Sequence, residues 1–284
     1  MNFPDLGKRL ITSIISVAVL ACILIFANVG FVKWLITLLT AGVGALGIWE
    51  FGKLAKVEDK RGLAILSMAI CFLTIFGFFI ATFDKRFSHL PFILIFMGVI
   101  TIFLCHFDKV AGSIGSIAKS VFGICYVGIP LGLLLKILYI SSSCFQGYEG
   151  RIWFLYLLIV TKITDVGAYF GGRLIGKKKL AAEISPGKTV NGAIVGFCCA
   201  IFFSFLFYLV GLGARGFHLT LFQSIWLGAL LGFLGQVGDL GESLLKRDAK
   251  VKDSNRLPGL GGILDMVDSL LFTAPVVYFF LYVC

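Results

Sequence analysis

The sequence predicts an all-α, polytopic integral membrane protein of about nine transmembrane helices with a cytoplasmic N-terminus. Three observations predict it. Only 40 of 284 residues are charged (14%) while 59% are hydrophobic, and mean hydropathy is +1.00. A soluble domain carries about 25% charge to solvate its surface, and a chain this apolar cannot hide its side chains in one core of ordinary size. The apolar residues fall in runs of about 20, the length that crosses roughly 30 Å of hydrocarbon as helix. The runs do not alternate apolar and polar in segments of about ten, as membrane-barrel strands would.

Nine stretches qualify in chain order: 10–31, 34–54, 63–83, 90–107, 120–140, 152–172, 192–212, 219–241 and 264–283. The basic residues test the count. Taking Lys53 with the loop it borders, the segments between spans hold 2, 1, 4, 2, 2, 1, 5, 1, 5 and 0 Lys+Arg, so alternate segments total 18 on one side and 5 on the other. The positive-inside rule places the N-terminus and both five-charge loops in the cytoplasm, and the C-terminus outside. Lys8 and Arg9 before the first apolar run, and Val19-Leu20-Ala21-Cys22 within it, imitate a signal peptide. The run continues through Ile23-Leu24-Ile25-Phe26 with no polar region after it, so an uncleaved helix is expected.

Several patterns carry no chemistry. The eight cysteines include no Cys-x-x-Cys pair, and adjacent Cys198 and Cys199 read as small apolar residues. His89, His106 and His218 lie near span ends without ligand spacing. Gly42-Val43-Gly44-Ala45-Leu46-Gly47 spells a dinucleotide-binding pattern, but within an apolar span it reads as close helix packing. Gly228, Gly232, Gly235, Gly238 and Gly241 form a second small-residue stripe, one that runs directly into charged residues.

The chain therefore divides into 1–150, about five spans, and 151–284, where two regions break the apolar rule. One is Thr161 to Leu180, which includes Lys162, Asp165 and Arg173. The other is Asp239 to Asp268, where six acids and five bases fall in 30 residues. Asp239, Glu242, Ser243 and Lys246 follow i, i+3, i+4, i+7, one face of a helix. Asp265 and Asp268 stand i, i+3 in the first turns of the last span, after Pro258-Gly-Leu-Gly-Gly262. Carboxylates in hydrocarbon cost several kcal/mol unless paired, hydrated or metal-bound, which makes them functional candidates. Carboxylates converging from different helices beside bases suit Mg²⁺ and phosphate oxygens. The Gly-Gly helix start offers backbone N–H groups and a positive dipole end to an anion. The plainer roles are a solvated topology signal for the basic run, helix capping by Asp265 and Asp268, and mutual neutralisation of Lys162 and Asp165.

The segment Ser243-Leu-Leu-Lys-Arg-Asp-Ala-Lys-Val-Lys-Asp-Ser254, followed by Leu257-Pro-Gly-Leu-Gly-Gly-Ile-Leu-Asp-Met-Val-Asp-Ser269, resembles the signature of phosphatidate cytidylyltransferases. Gly238-Asp-Leu-Gly-Glu-Ser243, Thr164-Asp-Val-Gly-Ala-Tyr-Phe170 and Ile184-Ser-Pro-Gly-Lys-Thr189 fit the same family. The match covers about 160–275, and residues 1–150 agree only in being apolar spans. It implies a Mg²⁺-dependent, usually dimeric membrane enzyme that makes CDP-diacylglycerol and pyrophosphate from CTP and phosphatidic acid. Asp239 and Asp265 match the family's metal-binding aspartates, and Asp268, Lys246-Arg247 and Lys252-Asp253 match other signature positions. The family's usual His is Leu260 here, its Arg after the first Asp is Met266, Val190-Asn191 replaces a common Trp-Glu, and the loop before Pro258 is one residue shorter.

The expected site is thus Asp239, Asp265, Asp268 and Lys246 as catalytic residues, with metal on Asp239 and Asp265. Ser243, Arg247, Lys252, Asp253, Lys188, Arg173 and Asp165 are the expected substrate contacts. In the expected reaction, the phosphate monoester attacks the α-phosphorus of CTP in line, so the protein's task is charge neutralisation and alignment. A net charge of +10 draws anionic lipid and nucleotide to the basic face of the cytoplasmic membrane, and no nucleic-acid partner is expected. The rival readings are a CTP-dependent kinase of a polyprenol or phytol, which would move the γ-phosphate, and a transporter. Inverted repeats and paired broken helices would favour a transporter, and neither is seen.

Overall fold

The computed structural model describes residues 21, 23–57, 61–108, 111–140, 149–212, 216–251 and 262–283. It is a bundle of long helices: α1 (Gly30–Leu54), α2 (Arg61–Phe83), α3 (Leu90–Leu104), α4 (Ser113–Gly123), α5 (Ile129–Leu138), α6 (Gly150–Ile175), α7 (Val190–Gly211), α8 (Leu221–Asp248) and α9 (Ile263–Val283). A π-helical turn at Ile124–Gly128 joins α4 to α5, so the two form one span. Pro130 stands two residues past the end of this turn; a proline has no N–H to give to the preceding turn, and a local i→i+5 adjustment absorbs the mismatch.

Among the described residues eight helices are long and apolar enough to cross a membrane. They coincide with the second to ninth stretches read from the sequence. The first stretch, 10–31, lies mostly outside the described residues; positions 23–26 are helical. Past the expected end at 241, α8 continues to Asp248 and keeps Glu242, Ser243 and Lys246 on regular helix. Its other end is fixed by a capping box: Thr220 Oγ1 accepts from the Gln223 N–H at 3.2 Å, and Gln223 Oε1 accepts from the Thr220 N–H at 2.9 Å.

The all-helical expectation needs one addition. Between α6 and α7 the chain forms a small antiparallel hairpin, β1 (Lys179–Ala181) with β2 (Ser185–Thr189), in which Lys179 pairs with Thr189 and Ala181 with Ser185. Thr189 ends β2 and caps α7, its Oγ1 accepting from the Gly192 N–H at 3.1 Å. A five-base loop with a proline and two glycines gives no strand alternation, which is why the sequence reading missed it.

Large apolar side chains point outward, Phe31, Val210 and Phe222 each being more than 70% exposed, as hydrocarbon-facing surfaces require. Inside, α6, α7 and α8 meet through small residues. A methyl added at Gly171 would lie 2.5 Å from Val195 Cβ, one at Gly228 2.6 Å from Ser204 Cβ, and one at Gly232 2.7 Å from Ala200 Cβ. In the first stripe read from the sequence, Gly44 and Gly47 pack closely against Ile75 and Val127 while Gly42 faces open space; in the second, Gly228, Gly232 and Gly238 are the close contacts. A buried polar chain runs through the same interface: Tyr156 and Ser204 hydroxyls lie 2.7 Å apart, and Ser204 donates to the Ser224 carbonyl at 2.6 Å.

Candidate active site

The C-terminal end of α6, the hairpin, the C-terminal end of α8 and the first turns of α9 supply every described charged residue singled out above. A methyl at Gly238 would lie 2.6 Å from the Asp268 carbonyl oxygen and 3.1 Å from Ser269 Cα, so at this point α8 and α9 touch backbone to backbone. That contact sets Asp239, the next residue on α8, beside Asp268 on α9. Asp165 of α6 lies in the same place, because its neighbour Lys162, 3.8 Å away, also bonds Ser269 of α9 at 3.0 Å. Three helices therefore contribute one aspartate each to a common polar zone.

Basic groups hold this zone together. Lys188 reaches from β2 to Asp239, Nζ to Oδ2 2.7 Å. Lys162 donates to Ser269 Oγ at 3.0 Å and to the Met266 carbonyl at 3.3 Å, and stands 3.8 Å from Asp165. Asp268, only 7% exposed, also accepts from the Ser269 N–H at 2.5 Å. Two turns further along α8, Lys246 lies between two carboxylates, 2.5 Å from Glu242 and 2.5 Å from Asp265. Glu242 is 1% and Lys246 15% exposed, so this is a largely desolvated trio whose members depend on one another.

The sequence reading set Asp239 and Asp265 as one pair. The structure gives each its own lysine: Asp265 turns to Lys246 and Glu242, while Asp239 shares its surroundings with Asp165 and Asp268. Arg247 points elsewhere, its Nε donating to the Ile184 carbonyl at 3.1 Å and fastening the hairpin turn to α8. Arg173 is exposed and donates to the Tyr169 hydroxyl at 3.2 Å. Ser243 is half-buried on the same helix. Lys252, Asp253 and Leu260 lie outside the described residues.

The helix start that was expected to receive an anion is already engaged. The Ile263 and Leu264 N–H groups donate to Glu50 Oε1 and Oε2, each at 3.0 Å, and the Gly262 N–H donates to Asp265 Oδ2 at 3.3 Å. These three N–H groups already have acceptors, and the positive charge at hand for an anion is on lysine side chains. Glu50 is the residue the sequence reading missed. Among the described residues it is the sole acidic residue between Gly30 and Leu138 that lies within a helix, and the rule applied to Asp265 would have singled it out as well.

Among the described residues, no three His, Cys, Asp or Glu groups converge tightly enough to hold a metal ion unaided. Mg²⁺ does not need such a cage; it commonly takes one or two carboxylates and completes its shell with water and substrate phosphates. Asp239 and Asp265, each now facing an ammonium, are oxygen donors of that kind. Carboxylates and lysines gathered where the helices of an apolar bundle end define a class: a membrane-embedded enzyme that handles phosphate groups. The chain belongs to the cytidylyltransferase family, whose model matches residues 7–284. It is 33% identical to the phosphatidate cytidylyltransferase of Chlamydia pneumoniae, over 98% of this chain and 92% of that one. The enzymes of the same name from Bacillus subtilis (strain 168) and Haemophilus influenzae are 31% and 29% identical, over 98% of this chain and 98% and 99% of theirs. The similarity spans the whole chain, including the apolar half where no motif was recognised.

Proposed function

We propose that this protein transfers CMP from CTP to phosphatidic acid, releasing pyrophosphate and forming CDP-diacylglycerol at the cytoplasmic face of the inner membrane. The observation that supports it best is the meeting of Asp165, Asp239 and Asp268 from three helices with Lys162 and Lys188, inside a chain of this family. Both substrates are anions. The protein must therefore neutralise charge and align the phosphate monoester with the α-phosphorus of CTP.

Lys188, Lys162 and Lys246 are the nearest bases to the aspartates and serve as phosphate contacts. Arg173 and Lys252 extend the basic face, while Arg247 acts by holding the hairpin that carries Lys188. A bound Mg²⁺ would supply Lewis-acid stabilisation of phosphate oxygens, with Asp239 and Asp265 as the residues to hold it. Asp268, buried and fixed to its own helix, orients the zone from below. No strong general base is required, because a phosphate dianion is itself the nucleophile. The acyl chains remain in the bilayer alongside the apolar outer faces of the helices, and the working form is a homodimer.

Purified protein given CTP, phosphatidic acid and Mg²⁺ should yield CDP-diacylglycerol, followed by mass. CTP labelled at the α or γ phosphate discriminates further: α label in the lipid product is expected. Label from the γ position would instead make the protein a CTP-dependent lipid kinase.

A further inference from the structure

The catalytic face of α9 is held in place from the other half of the molecule. Glu50 lies on α1, 213 residues from its partners, and is 1% exposed. Its two oxygens take the first two N–H groups of α9, at 3.0 Å each. The same face of α1 touches α9 one turn earlier, since a methyl at Gly47 would lie 3.5 Å from Leu264 Cδ2 and 3.3 Å from Val127 Cγ1. A carboxylate at a helix N-terminus gains from the dipole as well as from charge-assisted bonds, and its burial leaves no water to replace them.

The consequence reaches Asp265. Residues at the start of a helix normally cap it with their own side chains. Here Glu50 satisfies Ile263 and Leu264, so Asp265 needs only one oxygen for Gly262 and keeps the other for Lys246. We propose that Glu50 is a positioning residue for the reaction: it fixes the height and rotation of α9, and so sets Asp265 and Asp268 against α8. The inference rests on the function proposed above for its kinetic arm only.

The test compares Glu50→Gln with Ile75→Ala, a change in the α1–α2 packing, where Ile75 is fully buried. Glu50→Gln keeps the shape but replaces one acceptor oxygen with an NH₂ group. Steady-state turnover of CTP with phosphatidic acid should show kcat reduced about 10- to 100-fold, as small misplacements of reacting groups do, with KM for CTP within about twofold. Glu50→Asp, which retains the charge on a shorter arm, should recover part of kcat. Ile75→Ala should lower the melting temperature at least as much yet leave kcat within about twofold. Amide hydrogen exchange, read by mass on the peptide that begins α9, should accelerate in Glu50→Gln whatever the substrate.

Unchanged exchange in that peptide would overturn the anchoring. A Glu50→Gln kcat within twofold of the parent, or kcat losses that simply track melting temperature in both variants, would overturn the positioning role. If Glu50→Gln cannot be recovered folded, Glu50→Asp is judged by the same kcat and exchange criteria. A parent protein that makes no CDP-diacylglycerol would refute the proposed function, and the exchange experiment would still decide the anchoring.

Discussion

The two halves of the bundle are built by different means. In α1 to α5, helices meet through interdigitated aliphatic and aromatic side chains: Phe51 against Phe122 and Tyr126, Phe79 against Trp34 and Tyr139, Ile75 over Gly44. In α6 to α9, backbones touch directly at Gly192, Gly196, Gly228 and Gly238, and short polar side chains link the helices. Side-chain packing tolerates substitutions that conserve volume, whereas a backbone contact admits no added atom. The second half therefore fixes the relative position of its charged groups closely, and the first half supplies bulk and one carboxylate, Glu50. Precision follows from the absence of side chains.

The sharpest way to break this contrast is at the charges themselves. Asp239→Asn or Asp265→Asn should reduce CDP-diacylglycerol formation by about 10²-fold or more, the scale on which single electrostatic contributors act. Gel filtration should show an unchanged folded species, and near-parent activity in either variant would remove that residue from the site. Lys246→Ala comes next. It strips the cation from Glu242 and Asp265, and breaking such a desolvated group costs about 3–5 kcal/mol. A lower melting temperature should accompany the loss of turnover, whereas a surface lysine would show neither.

Smaller effects sharpen the same comparison. Gly238→Ala would set a methyl 2.6 Å from the Asp268 carbonyl and push α8 from α9; overpacking of this kind costs about 1–3 kcal/mol. Gly42→Ala is its counterpart in the first half, where nothing lies within 4 Å of the added carbon. It should leave melting temperature and turnover unaltered. Equal losses in the two glycine variants would erase the distinction between the halves.

The sequence made the helices legible because hydrocarbon demands runs of about 20 apolar residues, and the described spans begin and end near the expected positions. The polar zone was legible too: Asp239 and Lys246 stand at helical spacing, and Asp268 lies one turn after Asp265. What spacing could not reveal was which partner each charge would choose. Lys188 meets Asp239 because a hairpin folds back from α6, and Asp265 meets Lys246 because Gly238 lets α8 and α9 close. Both depend on helix crossings, a tertiary property with no local pattern. Glu50 was hidden differently, as a lone acid in an otherwise apolar run whose partners are main-chain N–H groups that no sequence motif marks.

The occupied start of α9 bears on how the site empties. Main-chain amides move only with their helix, whose shifts take microseconds or longer, whereas exposed lysine side chains change rotamer in nanoseconds or less. With Glu50 filling the rigid seat, the lysines that remain differ in freedom: Lys162 is 45% exposed, Lys188 26% and Lys246 15%. An anionic product would then be freed first at Lys162 and last at Lys246.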